Sequence, residues 1–283
     1  MITDDLVTDH YSRPDLGAAI AAGLEASGLS VDNLSVDDLA MVDEFHTGGR
    51  GATDHLLNQL DLTRGDEVLD VGCGIGGAAR YCANTFGTSV AGVDLTPAYV
   101  AAARQLTEWV GLSDRVAFHQ GDGAALPFKK HAFDAGYLLH VGMNVADKTG
   151  LFATIAHVLR PGARFGVYDL MRLRSDNLAF PLPWASVAAT SFLSSPDSYQ
   201  ESLGAAGFEI ISHEDRTETV LEFMSGVAKG LKAGVGPPPL GLHLLMGPEA
   251  GTKLINMVEA LEAGILAPVE IVAATPHHHH LHH

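Results

Sequence analysis

The sequence predicts an α/β protein: a doubly wound sheet of seven mostly parallel strands, with helices before it and a helical insertion ahead of the last strand. Two observations carry that prediction. Short apolar runs alternate with stretches of helical periodicity from residue 67 onward, and a glycine-rich turn follows the first of those runs. In order, residues 14–27 and 35–45 carry apolar side chains at helical spacing, and Ser35 with Asp38 has the form of a capping box. A third helical stretch spans about 50–60, after the turn HTGGRG. Strands are expected at 67–71, 89–93, 115–119, 134–140, 164–169, 209–214 and 268–273. Helices at 76–86, 97–110, 147–159 and 196–206 lie between them, the second opened by Thr96-Pro97. Residues 218–267 break the rhythm with GVGPPPLGLHLLMGP and two helical patches, an insertion expected to cover a pocket. This divides the chain into a helical cap (1–62), a core (63–276) and a His-rich tail (277–283).

Composition removes several classes of function. The 283 residues carry 17 Lys+Arg against 34 Asp+Glu, a net charge of −17, and residues 1–70 alone hold 15 acidic groups against Arg13, Arg50 and Arg64. Nucleic acid is excluded as a partner, since no basic cluster exists to meet a phosphate backbone. The acidic segment reads as a solvated helical face. No apolar run approaches the roughly 18 residues of a membrane span, and Met1 to His10 lack a basic leader. With two cysteines, Cys73 and Cys82, a disulfide framework is excluded and a reducing cytoplasm fits best. Six histidines in the tail after Pro276 read as a purification tag.

The turn Asp70-Val-Gly72-Cys-Gly74-Ile-Gly76-Gly77 joins a strand to a helix N-terminus, which suits close approach of a ligand to the backbone. The second strand ends in Asp94, 18 residues beyond Gly76, where a carboxylate can accept from both ribose hydroxyls. A nucleoside is therefore expected. Gly72, Gly74 and Gly77 also satisfy the dinucleotide pattern G-x-G-x-x-G, so the loop alone leaves an NAD(P)-dependent oxidoreductase open. A non-catalytic cofactor-binding module is a third reading, against which the retained Asp70, Asp94 and Asp122 count.

A wider set decides between the nucleosides: EVLDVGCG (67–74), GVD (92–94), QGDGAALPF (120–128), FD (133–134) and VLRPG (158–162). In that order the chain resembles the class I S-adenosylmethionine-dependent methyltransferases, which have a Rossmann-like fold. The segment DEFHTGGRGAT (43–53) looks like the stretch before the first strand in the small-molecule branch, the sarcosine/dimethylglycine, tocopherol and ubiquinone-type enzymes. The resemblance implies S-adenosylmethionine as cofactor and a small organic acceptor, methylated at N or O, with C-methylation as the alternative. It places Asp70, Gly72, Gly74 and Gly76 under the methionine part, Asp94 at the ribose, and Leu95, Asp122 and Gly123 at the adenine. His46, Gly48 and Gly49, with Tyr11 reaching in, would meet the methionine carboxylate and amine.

The fourth strand ends in His140-Val-Gly-Met-Asn144 at the sheet edge where ligands of open α/β folds sit. His140 is the candidate general base, or else an imidazole that hydrogen-bonds a loop carbonyl. Tyr11, His140, Asn144, Arg172, Trp184 and His243 are the candidate acceptor contacts, with Phe180 and Phe192 as further aromatics. Arg172 would pair with a carboxylate on the acceptor, or with an acidic residue of the chain. No metal is expected, because no acidic ligand cluster assembles near the acceptor. Arsenic methylation is excluded by the cysteine count. An oligomer is left open.

Overall fold

The computed structural model describes residues 15–44, 47–238 and 241–277. Its centre is a seven-stranded sheet in the order β3-β2-β1-β4-β5-β7-β6. The strands are β1 (Glu67–Val71), β2 (Ser89–Asp94), β3 (Val116–Gln120), β4 (Phe133–Leu139), β5 (Leu159–Arg172), β6 (Glu209–Asp215) and β7 (Leu266–Ala274). Every pairing from β3 to β5 is parallel, and β7 runs antiparallel to both its neighbours, β5 and β6. The expected mostly parallel sheet is thus observed.

Side chains on successive strand residues point to opposite faces, and both faces are covered, which is why these strands read as continuous apolar runs. On one face Leu69, Val71, Leu138, Phe165 and Val167 pack with α6 (Lys148–Val158) and α7 (Pro196–Ala205) through Phe152, Ile155, Tyr199 and Leu203. On the other, Val68, Val90, Tyr137 and Tyr168 meet α3 (Gly49–Leu57), α4 (Gly77–Phe86) and α5 (Pro97–Trp109). The edge strand β6 is mostly exposed and charged, with Glu209, Glu214 and Asp215 discouraging further strand pairing.

Helix α1 (Leu16–Ala26) lays Leu16, Ile20 and Leu24 against Tyr99 and Leu106 of α5. The Ser35/Asp38 capping box forms as expected: Ser35 N donates to Asp38 Oδ2 at 2.9 Å and Asp38 N to Ser35 Oγ at 3.3 Å. It introduces a 3-10 turn (Asp37–Leu39) and the single-turn α2 (Ala40–Asp43) rather than one continuous helix. The insertion resolves into α8 (Thr217–Lys232), α9 (His243–Met246) and α10 (Ala250–Glu262). These bury Val220, Met224, Met257 and Leu261 with Met143, Trp184 and Leu170, a core separate from the two sheet faces.

Candidate active site

The loop after β1 is fastened to its neighbour before any ligand is considered. Gly72 N and Cys73 N both donate to Val93 O, at 2.7 and 3.0 Å. Asp94, at the end of β2, accepts from Gly74 N at 2.8 Å and from Thr96 N at 2.9 Å. Burial raises the Asp94 pKa although both hydrogen bonds favour the charged form. Gly72 has φ 70° and Gly74 φ 55°, the left-handed region that glycine adopts without strain. They differ in what surrounds them. A Cβ on Gly72 would lie 2.3 Å from Val141 Cγ2, whereas one on Gly74 would meet no protein atom within 4 Å. Gly74 therefore presents bare backbone to open space.

That space is a cavity of about 580 Å³ at the C-terminal edge of the sheet, within the usual range for small-molecule sites. Of the residues anticipated for the cofactor, Asp70, Gly72, Gly74, Asp94, Leu95, Asp122 and Gly123 line it, as do His140 and Asn144. Asp70 accepts from Tyr137 Oη at 2.8 Å, and burial pushes its carboxyl up to about 7. Asp122 Oδ1 accepts from Ala124 N at 2.8 Å, so it caps the following turn while facing the cavity. This set fits a nucleoside cofactor: a carboxylate at Asp94 at the end of β2, exposed loop backbone at Gly74, and a second carboxylate at Asp122.

Not every anticipated residue is found there. Tyr11 and His46 fall outside the described residues. Gly76 is the N-cap before α4 and faces Phe118, not the cavity. Gly48 packs near Ala52, and Gly49 lines a second cavity. Arg172 is turned to the carbonyls of Arg174 and Asp176 and lines neither cavity, because the chain after β5 folds back over its guanidinium. Conversely, the acidic N-terminal segment is not wholly a solvated face. Asp43 and Glu44 are buried and line the first cavity. Asp43 is held by Arg80 at 2.6 Å, an ion pair with both side chains fully buried. Their signal was an acidic pair closing the apolar stripe of 35–45, a poor place for solvated charge.

The second cavity, about 730 Å³, lies under the insertion and is lined by Met41, Met143, Trp184, Phe223, Met224, Met246 and Met257 among others. Trp184, His243 and His140 are the anticipated acceptor residues found here. Asn144 donates to Trp184 O at 2.7 Å and so braces the wall between the two cavities. Phe192 lines the first cavity, and Phe180 packs in the insertion core. Among the described residues, only Glu44 and His140 line both cavities.

His140 follows β4 with φ 52°, a strained conformation for a non-glycine residue. Asp169 secures the turn by accepting from Val141 N and Gly142 N, each at 3.0 Å, and from Tyr199 Oη at 2.6 Å. The ring is equally constrained. A backbone N–H can only donate, so the 3.0 Å contact from Thr47 N makes Nε2 an acceptor and assigns the proton to Nδ1, 3.0 Å from Tyr168 O. Thr47 Oγ1 also lies 2.8 Å from Nε2. Burial lowers the imidazole pKa to about 4. A general base needs an open lone pair, and this one is already engaged. His140 thus has the geometry of the alternative anticipated for it, an imidazole bound to a loop carbonyl.

Among the described residues, one group could gather a metal ion: His55, Glu214 and Glu270, outside both cavities. There Glu270 accepts from His55 Nδ1 at 2.9 Å and from Gln59.

Comparison with known proteins agrees with this geometry. Residues 69–167 match the family model described as a methyltransferase domain. Sterol 24-C-methyltransferase ERG6B of Gibberella zeae is 32% identical over 173 residues, covering 58% of this chain and 45% of that protein. Phosphoethanolamine N-methyltransferase 3 of Arabidopsis thaliana is 32% identical over 188 residues, 66% of this chain and 37% of that one. The chain therefore spans less than half the length of these two relatives. Among solved structures, the [4+2]-cyclase SpnF superposes with a TM-score of 0.68 at 24% identity, covering 93% of this chain and 94% of the other. Geranyl diphosphate C-methyltransferase from Streptomyces coelicolor, solved with S-adenosyl-L-homocysteine, gives 0.65 at 20% identity, over 80% and 78%. Residues 69–167, which carry the glycine loop and the strands from β1 into β5, thus match a methyltransferase domain, and the sheet has the Rossmann-like fold of the solved class I S-adenosylmethionine-dependent methyltransferases.

Proposed function

We propose that the chain transfers the methyl group of S-adenosylmethionine to a bulky, largely apolar small molecule held in the second cavity. The observation that carries this reading is the meeting of two cavities, one lined by carboxylates and loop backbone, the other by methionines and aromatics, at Glu44 and His140. The cofactor supplies an electrophilic sulfonium methyl. The protein's task is then alignment, which can provide much of the acceleration of a displacement reaction. Asp94 and the Gly74 backbone would hold the ribose and methionine ends, Asp122 the adenine. His140, fixed by Thr47 and Tyr168, would serve as a rigid wall at the junction rather than as a base. Residues up to 62 act in this reading as a cap closing the site.

The second cavity argues against an acceptor bearing phosphate or carboxylate, because its described lining holds no lysine or arginine to pair with one. It is the reason the phosphoethanolamine and geranyl diphosphate enzymes are poor guides to the acceptor here. N- and O-methylation remain the preferred chemistry, and Cys73 and Cys82, both buried free thiols, suit a reducing cytoplasm. Among the described residues no helix is long and apolar enough to cross a membrane.

Calorimetric titration with S-adenosylhomocysteine and with NADH tests the cofactor: the first should bind in the micromolar range and the second not measurably. The reverse result would support the oxidoreductase reading. The role of His140 has its own check. Its folded pKa lies below the unfolded value, so the stability it contributes is present above about 6.5 and is lost as pH falls toward 4. NMR of the ring should show it neutral at pH 5.5, where an exposed histidine is mostly protonated.

A further inference from the structure

Away from both cavities, three side chains converge on the antiparallel edge of the sheet: His55 of α3, Glu270 of β7 and Glu214 of β6. One donor atom from each lies within 4.8 Å of the other two. Glu214 and Glu270 are direct cross-strand partners, so two carboxylates share one rung of the sheet and one of its faces. Like charges placed in this way are destabilising. Glu270 adds to the cost, since it is only 2% exposed.

His55 stands between the two carboxylates. Its Nδ1 is 2.9 Å from Glu270 Oε2, and its Nε2 is 3.7 Å from Glu214 Oε2. A neutral imidazole carries one proton, so one of its nitrogens turns a lone pair toward a carboxylate. A cation among the three groups removes both conflicts at once. The surrounding groups support one there: Gln59 Nε2 donates to Glu270 Oε1 and to His55 O, the kind of outer hydrogen bonding that orients metal ligands. Arg216 meets Glu214 through Oε1, at 3.5 Å, while Oε2 faces the ring.

We infer that His55, Glu214 and Glu270 form a structural site for a divalent transition-metal ion such as Zn²⁺, which pins α3 to β6 and β7. One imidazole and two carboxylates are a donor set suited to such an ion. Zinc holds these donors at about 2.0–2.2 Å, and the half-exposed Glu214 side chain supplies the movement needed to close around it. Water completes the coordination on that open side. The position has a structural consequence: α3 begins two residues after Thr47, whose N–H contacts His140 Nε2, so an ion near the far end of the helix steadies that contact from outside. None of the three residues lines either cavity, and the inference stands apart from the methyl-transfer reading.

Urea unfolding of the full chain, with a chelator and then with zinc chloride, tests the site. Free zinc at about ten times the site's dissociation constant should raise the folded-to-unfolded ratio about tenfold at fixed urea. The histidines of the tail also bind zinc, so each variant is compared with the wild type at equal metal, where the tail's contribution is common to both. Glu214→Gln should be as stable as the wild type or more so without metal, because the facing like charge is gone, and should lose most of the zinc response. His55→Gln should lose that response as well. No zinc response in the wild type, or one undiminished in both variants, would overturn the inference. So would a Glu214→Gln protein less stable than the wild type in chelator, the result expected of an imidazolium held between two carboxylates without a metal.

Discussion

The two cavities are built from different parts of the chain by different physics. The cofactor cavity is assembled from loops at the ends of parallel strands, and its geometry is fixed by hydrogen bonds: Gly72 and Cys73 to Val93, Gly74 and Thr96 to Asp94, and Tyr137 to Asp70. The second cavity, proposed to hold the acceptor, is roofed by helices of the insertion and shaped by side-chain volume. Five of the six methionines among the described residues line it, residues that repack around differently shaped ligands. One region is specified by backbone geometry and charge, the other by apolar filling. Substitutions should therefore act abruptly in the first and gradually in the second.

The largest expected effect lies beneath the cofactor cavity. Asp43→Ala would leave Arg80 buried without its carboxylate, and removing one partner of such a pair costs about 3–5 kcal/mol. Urea unfolding should show a loss of unfolding free energy of that size. Next come two adjacent loop glycines that should separate. Gly72→Ala strains a left-handed backbone and drives Val141 from its place, so roughly 2–4 kcal/mol of stability should be lost. Gly74→Ala has only the backbone strain, about 1–2 kcal/mol, but its methyl group enters the cavity. Its larger consequence should be weaker S-adenosylhomocysteine binding in a folded protein. If both variants behave alike in melting and in calorimetry, the distinction between loop packing and ligand approach is wrong.

Asp94→Ala removes a carboxylate that would serve both loop and ribose, and should weaken cofactor binding by roughly 1.5–3 kcal/mol, one to two decades. Calorimetry with an unchanged dissociation constant would contradict that role. Smallest should be Met224→Leu or Met257→Leu in the acceptor cavity. As volume-conserving exchanges they should cost under about 1.5 kcal/mol and leave cofactor affinity untouched. Their effect should appear in the range of acceptor shapes accepted, measured across a panel of apolar probes.

The same contrast explains what could be read from the sequence. Backbone-built features leave local marks: glycines at fixed offsets, an acid ending the second strand, and the alternation of strands and helices. Hence Asp70, Gly72, Gly74, Asp94, Asp122 and the sheet were legible. Features made by distant side chains leave none. Nothing near Arg172 announces that its guanidinium turns to Arg174 O and Asp176 O, and nothing near His140 announces that Thr47, 93 residues earlier, fills its lone pair. Glu44 was hidden among surface acids of the same segment, because burial depends on α3 and the sheet closing over it. The insertion was recognisable as a break in rhythm, but its cavity arises only when α8 and α10 pack together.

The central claim is that cofactor and acceptor occupy separate chambers meeting at Glu44 and His140. A crystal structure with S-adenosylhomocysteine bound tests it most directly. The account predicts the ribose at Asp94, the sulfur beside the His140–Glu44 junction, and its open side facing the methionine-lined cavity. A ligand bound in the glycine-loop cavity with its sulfur turned away from that junction, or lying in the second cavity, would contradict it.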